Sequence, residues 1–169
     1  MRLENDMSIT IKPIGIIRSS LKESKGSPIQ PFFAKDSEGI VEVYNPYLEA
    51  LKDLDGFERI WLIYWFHKAA DFKPTVTPFL DTVERGLFAT RAPCRPNPIG
   101  MSPVRLLRIE SEKLYIKDVD ILDGTPLLDI KPYISKFDKF EVSRNGWQDN
   151  VQSNPGIADN RFRKIKNGD

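Results

Sequence analysis

Between Glu84 and Leu107 the chain carries Arg91, Arg95 and Asn97 on a stretch stiffened by Pro93, Pro96, Pro98 and Pro103. Proline fixes φ and removes a backbone donor, so neither a helix nor a central strand runs through this span. Apolar segments, Leu87–Ala89 and Val104–Leu107, flank it and anchor it. A stiff, anchored loop holds its side chains at small entropic cost. Guanidinium forks bind carboxylates, phosphates or purine edges. The Asn97 amide offers a donor and an acceptor together. Gly100 allows a ligand or another segment to approach the backbone. The same residue types equally describe a surface loop whose arginines are merely solvated.

A second stretch with chemical content is Leu122-Asp-Gly-Thr-Pro-Leu-Leu-Asp-Ile-Lys-Pro-Tyr133. Asp123-Gly124 is a turn signal, and Thr125-Pro126 stiffens the exit. Leu128 and Ile130 alternate with Asp129 and Lys131, which gives one apolar face and one face of opposite charges. An ordinary hairpin with a solvated face has the same pattern. His67 ends the apolar run Phe57–His67, where it is either a structural hydrogen-bond partner or a ligand contact at the mouth of a sheet or barrel. Pro28-Ile29-Gln30 is a rigid spot within the long loop Lys22–Phe33. Arg161-Phe-Arg-Lys-Ile-Lys166 is a basic patch around an aromatic, suited to RNA or simply a soluble end.

These residues need a scaffold, and the rest of the chain bounds what it can be. The 169 residues carry a formal net charge of +1, so no whole-molecule field points to nucleic acid or membrane. One cysteine, Cys94, and one histidine rule out an internal disulfide and a multi-Cys or multi-His metal site. Residues 1–8 read as a loose polar leader without a signal core. The apolar run Ile60–Phe66 is too short to span a bilayer, so the expectation is a soluble cytoplasmic protein with no membrane partner and no metal. Strands are expected in Ile9–Ile17 (with Pro13 marking an edge or bulge), in Gly39–Tyr44, and in Phe57–His67, the last covered on both faces. Ser102–Glu110 and Lys113–Asp118 should form a tight hairpin around Ser111-Glu112. Asn45-Pro46 opens a short helix through Leu48, Leu51 and Leu54, stopped by Asp55-Gly56. Lys68–Glu84 is a polar excursion. At least six strands with few short helices predict a mainly β fold, a small barrel, over residues 1–137, followed by a C-terminal extension over 138–169. No dinucleotide, phosphate-loop or nucleophile-elbow motif is present.

Arg85-Gly-Leu-Phe-Ala-Thr-Arg91, Arg95-Pro-Asn-Pro-Ile-Gly-Met-Ser102 and Leu122–Tyr133 resemble the TsaA/TrmO-like family. Phe57-x-x-Ile60-Trp61 and Pro28-Ile29-Gln30 match further family stretches, and the likeness runs from about Ile14 to Tyr133. The resemblance implies a single-sheet β-barrel of the class VIII S-adenosylmethionine-dependent methyltransferase type, a homodimer, and a tRNA substrate. The characterised bacterial member methylates N6 of threonylcarbamoyladenosine at position 37, beside the anticodon. By residue-for-residue match, S-adenosyl-L-methionine should lie against Pro28, Ile29, Gln30, His67, Lys68, Arg91, Met101, Asp123, Gly124, Thr125 and Pro126. Ile29 stands where bacterial members commonly have arginine, as in archaeal-type sequences, and the tail after about Phe137 departs from the bacterial pattern.

Within that resemblance, Arg91 or His67 would meet the cofactor carboxylate and backbone groups near Gly124 the adenine edge. The N6 nitrogen is a poor nucleophile and must lose a proton, with Asp129 or the Asn97 oxygen assisting. Tyr133 would stack on the base, completing the catalytic set Asn97, Asp129 and Tyr133. Arg95 and Lys131 would bind the threonyl carboxylate. Two other functions share the pocket: a non-catalytic S-adenosylmethionine- or RNA-binding module, and a methyltransferase with another acceptor.

Overall fold

The computed structural model describes residues 9–151 and 155–164. The leader 1–8 and the end of the basic patch, Ile165-Lys166, lie outside the described residues. Eight strands run β1 Gly15–Ser19, β2 Glu38–Val43, β3 Arg59–Trp65, β4 Thr75–Val76, β5 Arg85–Gly86, β6 Ile99–Glu110, β7 Lys113–Lys117 and β8 Thr125–Pro132. Six of them close into a barrel in the order β1-β2-β7-β6-β3-β8. Every neighbouring pair is antiparallel, and β1 against β8 closes the ring. Closure removes exposed sheet edges, the problem that many short strands and few helices create. Alternate side chains fill the interior: Ile17, Val41, Ile60, Leu62, Leu114 and Leu127 are all fully buried. Burying each such side chain contributes about 1.5–3 kcal/mol.

Four expectations change. A barrel strand does enter the proline-rich span: β6 starts at Ile99 and carries Pro103, which pairs with Trp61 of β3 and lies before the first β6–β7 pair, Arg105 with Lys117. Ile9 and Ile11 are exposed and the first strand starts only at Gly15, because Pro13 cannot donate to a ladder. The helix after Asn45 is instead a pair of 3-10 turns, Asn45–Leu51 and Leu54–Gly56. Leu48, Leu51 and Leu54 recur every three residues, which is the 3-10 repeat rather than the α repeat. The strand expected to be covered on both faces has only its inner face sealed; Trp65, on the outer face, is 38% exposed.

At the start of β6 the barrel wall touches its own filling. A Cβ on Gly100 would stand 2.8 Å from Phe66 Cζ and nearer still to the Tyr64 ring. The close approach expected at Gly100 is thus made by the Tyr64–Phe66 pair, whose rings stand edge to face at 5.3 Å. A Gly100→Ala protein should unfold at lower denaturant, by about 1–3 kcal/mol of overpacking, as read by urea titration.

All three long connections leave the same rim. The end of β1 pairs with the start of β2, and β2's first residue with the end of β7. On the other side, Trp65 at the end of β3 pairs with Ile99 at the start of β6, and Thr125 at the start of β8 with Ile17. Segments 20–37, 66–98 and 118–124 therefore emerge side by side. The opposite rim carries segment 44–58, the two-residue β6–β7 turn and the exit of β8 into the short α1, Ser135–Asp138. Ser111 takes a positive φ of 54° in that expected tight turn.

The extension returns to the loop-bearing rim. Pro28 bridges Ile157, Gly26 N–H donates to Ala158 O at 2.9 Å, and Ile29 N–H to Gly156 O at 2.9 Å. Phe162 is buried in a second apolar cluster with Val76, Leu87, Ala92 and Cys94. Its ring meets Phe79 at 4.9 Å, while Arg161 donates to Thr77 O and Pro78 O. The polar excursion is thereby pinned by the tail, and Arg161–Phe162 is an anchored element rather than a free end. Among the described residues no helix is long and apolar enough to cross a membrane, and no His/Cys/Asp/Glu cluster can hold a metal ion.

Candidate methyl-donor and tRNA site

The loop-bearing rim collects most of the residues singled out from the sequence. Segment 20–37 supplies Pro28–Gln30, segment 66–98 supplies His67, Lys68, Arg91, Arg95 and Asn97, and segment 118–124 leads through Asp123-Gly124 into Thr125-Pro126. Polar contacts join the segments. Arg91 donates from Nη1 to Gln30 Oε1 at 2.6 Å, tying the proline-rich loop to the first connection. Lys68 Nζ donates to Lys22 O at 3.0 Å, and Lys22 Nζ pairs with Asp123 Oδ2 at 2.8 Å. The Asp123 carboxyl is held below its usual range, first by the Lys22 bond.

The turn at Gly124 exists because Gly124 adopts φ +77°, which a side chain rarely tolerates. Its N–H donates to Ile17 O at 2.9 Å, and Asp123 N–H to Leu21 O at 2.7 Å. Both amide donors are spent, so the turn offers carbonyl oxygens to a ligand rather than N–H groups.

His67 leaves the barrel directly after β3, at the mouth. Its Nδ1 lies 3.3 Å from Thr125 Oγ1, and that hydroxyl donates to Leu122 O at 2.7 Å. A hydroxyl has one proton, so the Thr125 contact takes Nδ1–H as its donor, and the ring also lies within hydrogen-bonding reach of the Trp65 carbonyl. Burial, then the adjacent Lys68 charge, push the ring pKa below its usual value, so the imidazole is neutral at pH 7. The chain has one histidine, so the assignment is directly readable. Long-range ¹⁵N NMR should show a neutral Nδ1–H tautomer at pH 7 and a titration midpoint below about 6.5.

Other side chains are disposed differently. Asn97 is exposed, its carbonyl accepts from Ile99 N–H at 2.7 Å, and its carboxamide makes no hydrogen bond among the described residues. Arg95 donates from Nη1 to Thr90 O at 3.0 Å and Ala92 O at 3.3 Å and lies over Phe88 at 5.5 Å, so part of its fork braces its own loop. Met101 is 59% exposed on the outer face of β6, opposite Ile63. Asp129 and Lys131, on β8, form an ion pair at 2.9 Å. Tyr133 lies at the opposite rim, its N–H bonded to Arg59 O and its ring 5.8 Å from Trp61. Within one chain Asp129, Lys131 and Tyr133 stand apart from the loop cluster.

Chain comparison decides the family. The tRNA-methyltransferase O N-terminal domain model matches residues 16–139. The chain belongs to that family. It is 54% identical over 141 residues to a "Probable S-adenosyl-L-methionine-binding protein" of Pyrococcus abyssi, a match covering 83% of this chain and 77% of the relative. It is 38% identical over 137 residues to the tRNA (adenine(37)-N6)-methyltransferase of Escherichia coli, covering 75% of this chain and 58% of that enzyme. The fold aligns with the crystal structure of TrmO from Pseudomonas aeruginosa at a TM-score of 0.70 and 40% identity, over 83% of this chain and 62% of that one. The chain thus spans less than two thirds of those two tRNA-methyltransferase relatives. The β-barrel expected from the sequence is the barrel of this family. Two of its rim connections carry the proline-rich stretch and the Asp123-Gly124-Thr125-Pro126 turn, and both lie within the matched residues.

Sequence reading missed Asp120, Ser102 and Tyr64, which form a buried polar chain under the rim. The available signal was a carboxylate bracketed by Val119 and Ile121, both buried, just after a strand.

Proposed function

We propose that this chain is an S-adenosylmethionine-dependent tRNA methyltransferase acting on adenine N6 at position 37, with threonylcarbamoyladenosine as its acceptor. The observation that carries the reading is the convergence of segments 20–37, 66–98 and 118–124 on one rim, joined by the Arg91–Gln30 and Lys22–Asp123 contacts. The names of the relatives, one a binder of the methyl donor and one a tRNA methyltransferase, support it.

The donor set on the rim fits this cofactor. When bound, S-adenosylmethionine would supply an electrophilic methyl for N6, leaving as the neutral thioether, with the N6 proton passing to solvent water. Arg91 binds the carboxylate end, because a neutral His67 protonated at Nδ1 accepts hydrogen bonds at Nε2 instead. His67 Nε2 accepts from the ammonium end. Carbonyls of the Asp123-Gly124 turn accept from the adenine amino group, with Pro28, Ile29 and Pro126 bounding the ring. Asn97 positions the acceptor: its unoccupied carboxamide oxygen accepts from the N6–H, which keeps the nitrogen's lone pair aimed at the methyl. The free part of the Arg95 guanidinium reaches the threonyl carboxylate.

The roles of Met101, Asp129, Lys131 and Tyr133 require a second copy of the chain, since these side chains sit on the outer face or far rim. That face carries the exposed apolar neighbours Trp65, Ile99 and Met101, a surface suited to a homodimer. Sedimentation should give a dimer that Met101→Asp dissociates.

The function is tested with methyl-labelled S-adenosylmethionine and total tRNA from one strain that makes threonylcarbamoyladenosine and one that cannot. Label entering only the first tRNA is the expected result. Label in both, or in neither, overturns the acceptor assignment, and donor binding without any transfer marks a binding module.

A further inference from the structure

Asp120 lies in the β7–β8 connection, on the same rim as the loops that gather the candidate ligand contacts. Its Oδ1 accepts from Ser102 Oγ at 2.7 Å. Ser102 is fully buried on β6, and its hydroxyl lies 3.1 Å from the Tyr64 hydroxyl on β3. Ser102 has one proton and gives it to the carboxylate, so Tyr64 must donate to Ser102. The chain of donors runs outward from the barrel interior, Tyr64 to Ser102 to Asp120, and ends on the anion. Three elements thus fix one carboxylate in place.

No other described residue donates to Asp120 Oδ2. Burial raises the carboxyl to about 6, with the Ser102 bond, its own backbone N–H and the Arg91 charge opposing. The group is therefore mostly ionised above neutral pH. A half-buried carboxylate with one oxygen tied and the other open is costly to hold without a cation. Arg91 is committed to Gln30 through Nη1 and to the ligand carboxylate in the reading above. The ammonium of the methyl donor goes to His67 in that reading, so the positive centre left for Asp120 is the sulfonium.

We propose that Asp120 faces the sulfonium of S-adenosylmethionine and sets the preference of this site for the charged donor over the neutral thioether product. The inference rests on the donor reading of the rim. It gives the site a means of release: transfer of the methyl removes the positive charge, and the Asp120 attraction goes with it. Ser102 and Tyr64 act as positioning residues that hold the carboxylate by its Oδ1 and leave Oδ2 for the ligand.

The test is calorimetry at pH 7.5 on wild type, Asp120→Asn and Ser102→Ala, with three ligands. These are S-adenosylmethionine, S-adenosylhomocysteine, and sinefungin, which carries an amine cation near the sulfonium position. Wild type should favour both cations over the thioether by about tenfold, the size of one screened charge pair. Asp120→Asn keeps a Ser102 partner and should erase that preference, leaving the thioether within about twofold of wild type. Ser102→Ala keeps the charge but frees it, and should lose part of the preference; it also serves if Asp120→Asn does not fold. Equal weakening for all three ligands, or an unchanged preference, overturns the proposal while leaving the donor site standing. Failure of wild type to bind any of the three overturns the donor reading and this inference with it.

Discussion

Asp118→Ala should lower the unfolding free energy by about 3 kcal/mol, the cost of breaking a mostly buried ion-pair network by removing its shared partner. Asp118 follows β7 and is 4% exposed. Its Oδ2 accepts from Arg59 Nη2 at 2.8 Å and Arg105 Nε at 2.8 Å, and its Oδ1 from Arg105 Nη2 at 3.0 Å and Asp36 N–H at 3.0 Å. One carboxylate therefore ties β3, β6 and the first connection together. Arg59 also donates to Pro103 O at 2.9 Å, so its loss of orientation would reach the β3–β6 pairing. Both arginines are about one third exposed and can rehydrate, which keeps the cost at the low end for a buried pair.

The same group predicts an acid response. Burial raises the Asp118 pKa, but hydrogen bonds from Arg105, the Asp36 backbone and Arg59 outweigh it and bring the value to about 2. A folded pKa below the unfolded one contributes stability that is complete above the unfolded value and is lost on acidification through the folded one. Wild type should lose about 2 kcal/mol between pH 5 and pH 2 through this residue, and Asp118→Asn should not show that part of the slope. Urea unfolding at a series of pH values reads both.

The second large effect separates binding from chemistry. Arg91→Ala should weaken S-adenosylmethionine binding about 30-fold, the loss of a charge-assisted hydrogen bond, with a smaller change in turnover at saturating donor. Asn97→Ala should do the reverse: donor affinity nearly unchanged, turnover down about 100-fold. Arg91 already bridges two segments through Gln30, whereas the Asn97 carboxamide has no partner to lose among the described residues. Arg91→Lys should rescue little, because a point charge cannot keep both the Gln30 contact and a fork on a carboxylate. Steady-state kinetics on the tRNA substrate with donor titrations distinguishes the two variants. Unchanged turnover in Asn97→Ala would remove that residue from the chemistry.

Local chemistry made the two rim segments legible. Pro93, Pro96 and Pro98 around Arg91–Asn97 and the Asp123-Gly124 turn announce loops, and they are loops, whereas Pro103 falls inside β6, paired with Trp61. The β6–β7 turn also follows from pattern alone, but the inward alternation of Leu62 and Tyr64 does not, because Ile60–Phe66 is apolar at both parities. What pattern did not reveal depends on partners distant in sequence. Phe162 sits in a polar tail and becomes core because Phe79 and Val76 meet it across the excursion. Asp120 looks like one more carboxylate in an acidic stretch until Ser102 is placed beneath it. Ile9 and Ile11 have strand composition, yet no strand adds beyond β1 because the barrel is already closed by β8. The outward placement of Asp129 and Lys131 agrees with the alternation in the sequence; what no local signal encodes is the register shift between β3 and β8 near Ile63 and Tyr64.

The most direct measurement of the central claim is backbone amide NMR of the protein titrated with S-adenosylmethionine. The claim is that one barrel rim, through three connections, forms the methyl-donor site. Saturable shifts should cluster at Gln30, His67, Arg91, Asp120 and Gly124, with Tyr133 and the Ser111 turn at the opposite rim unmoved within a single protomer. Shifts centred on that opposite rim, or a spectrum unchanged at millimolar donor, would contradict the account.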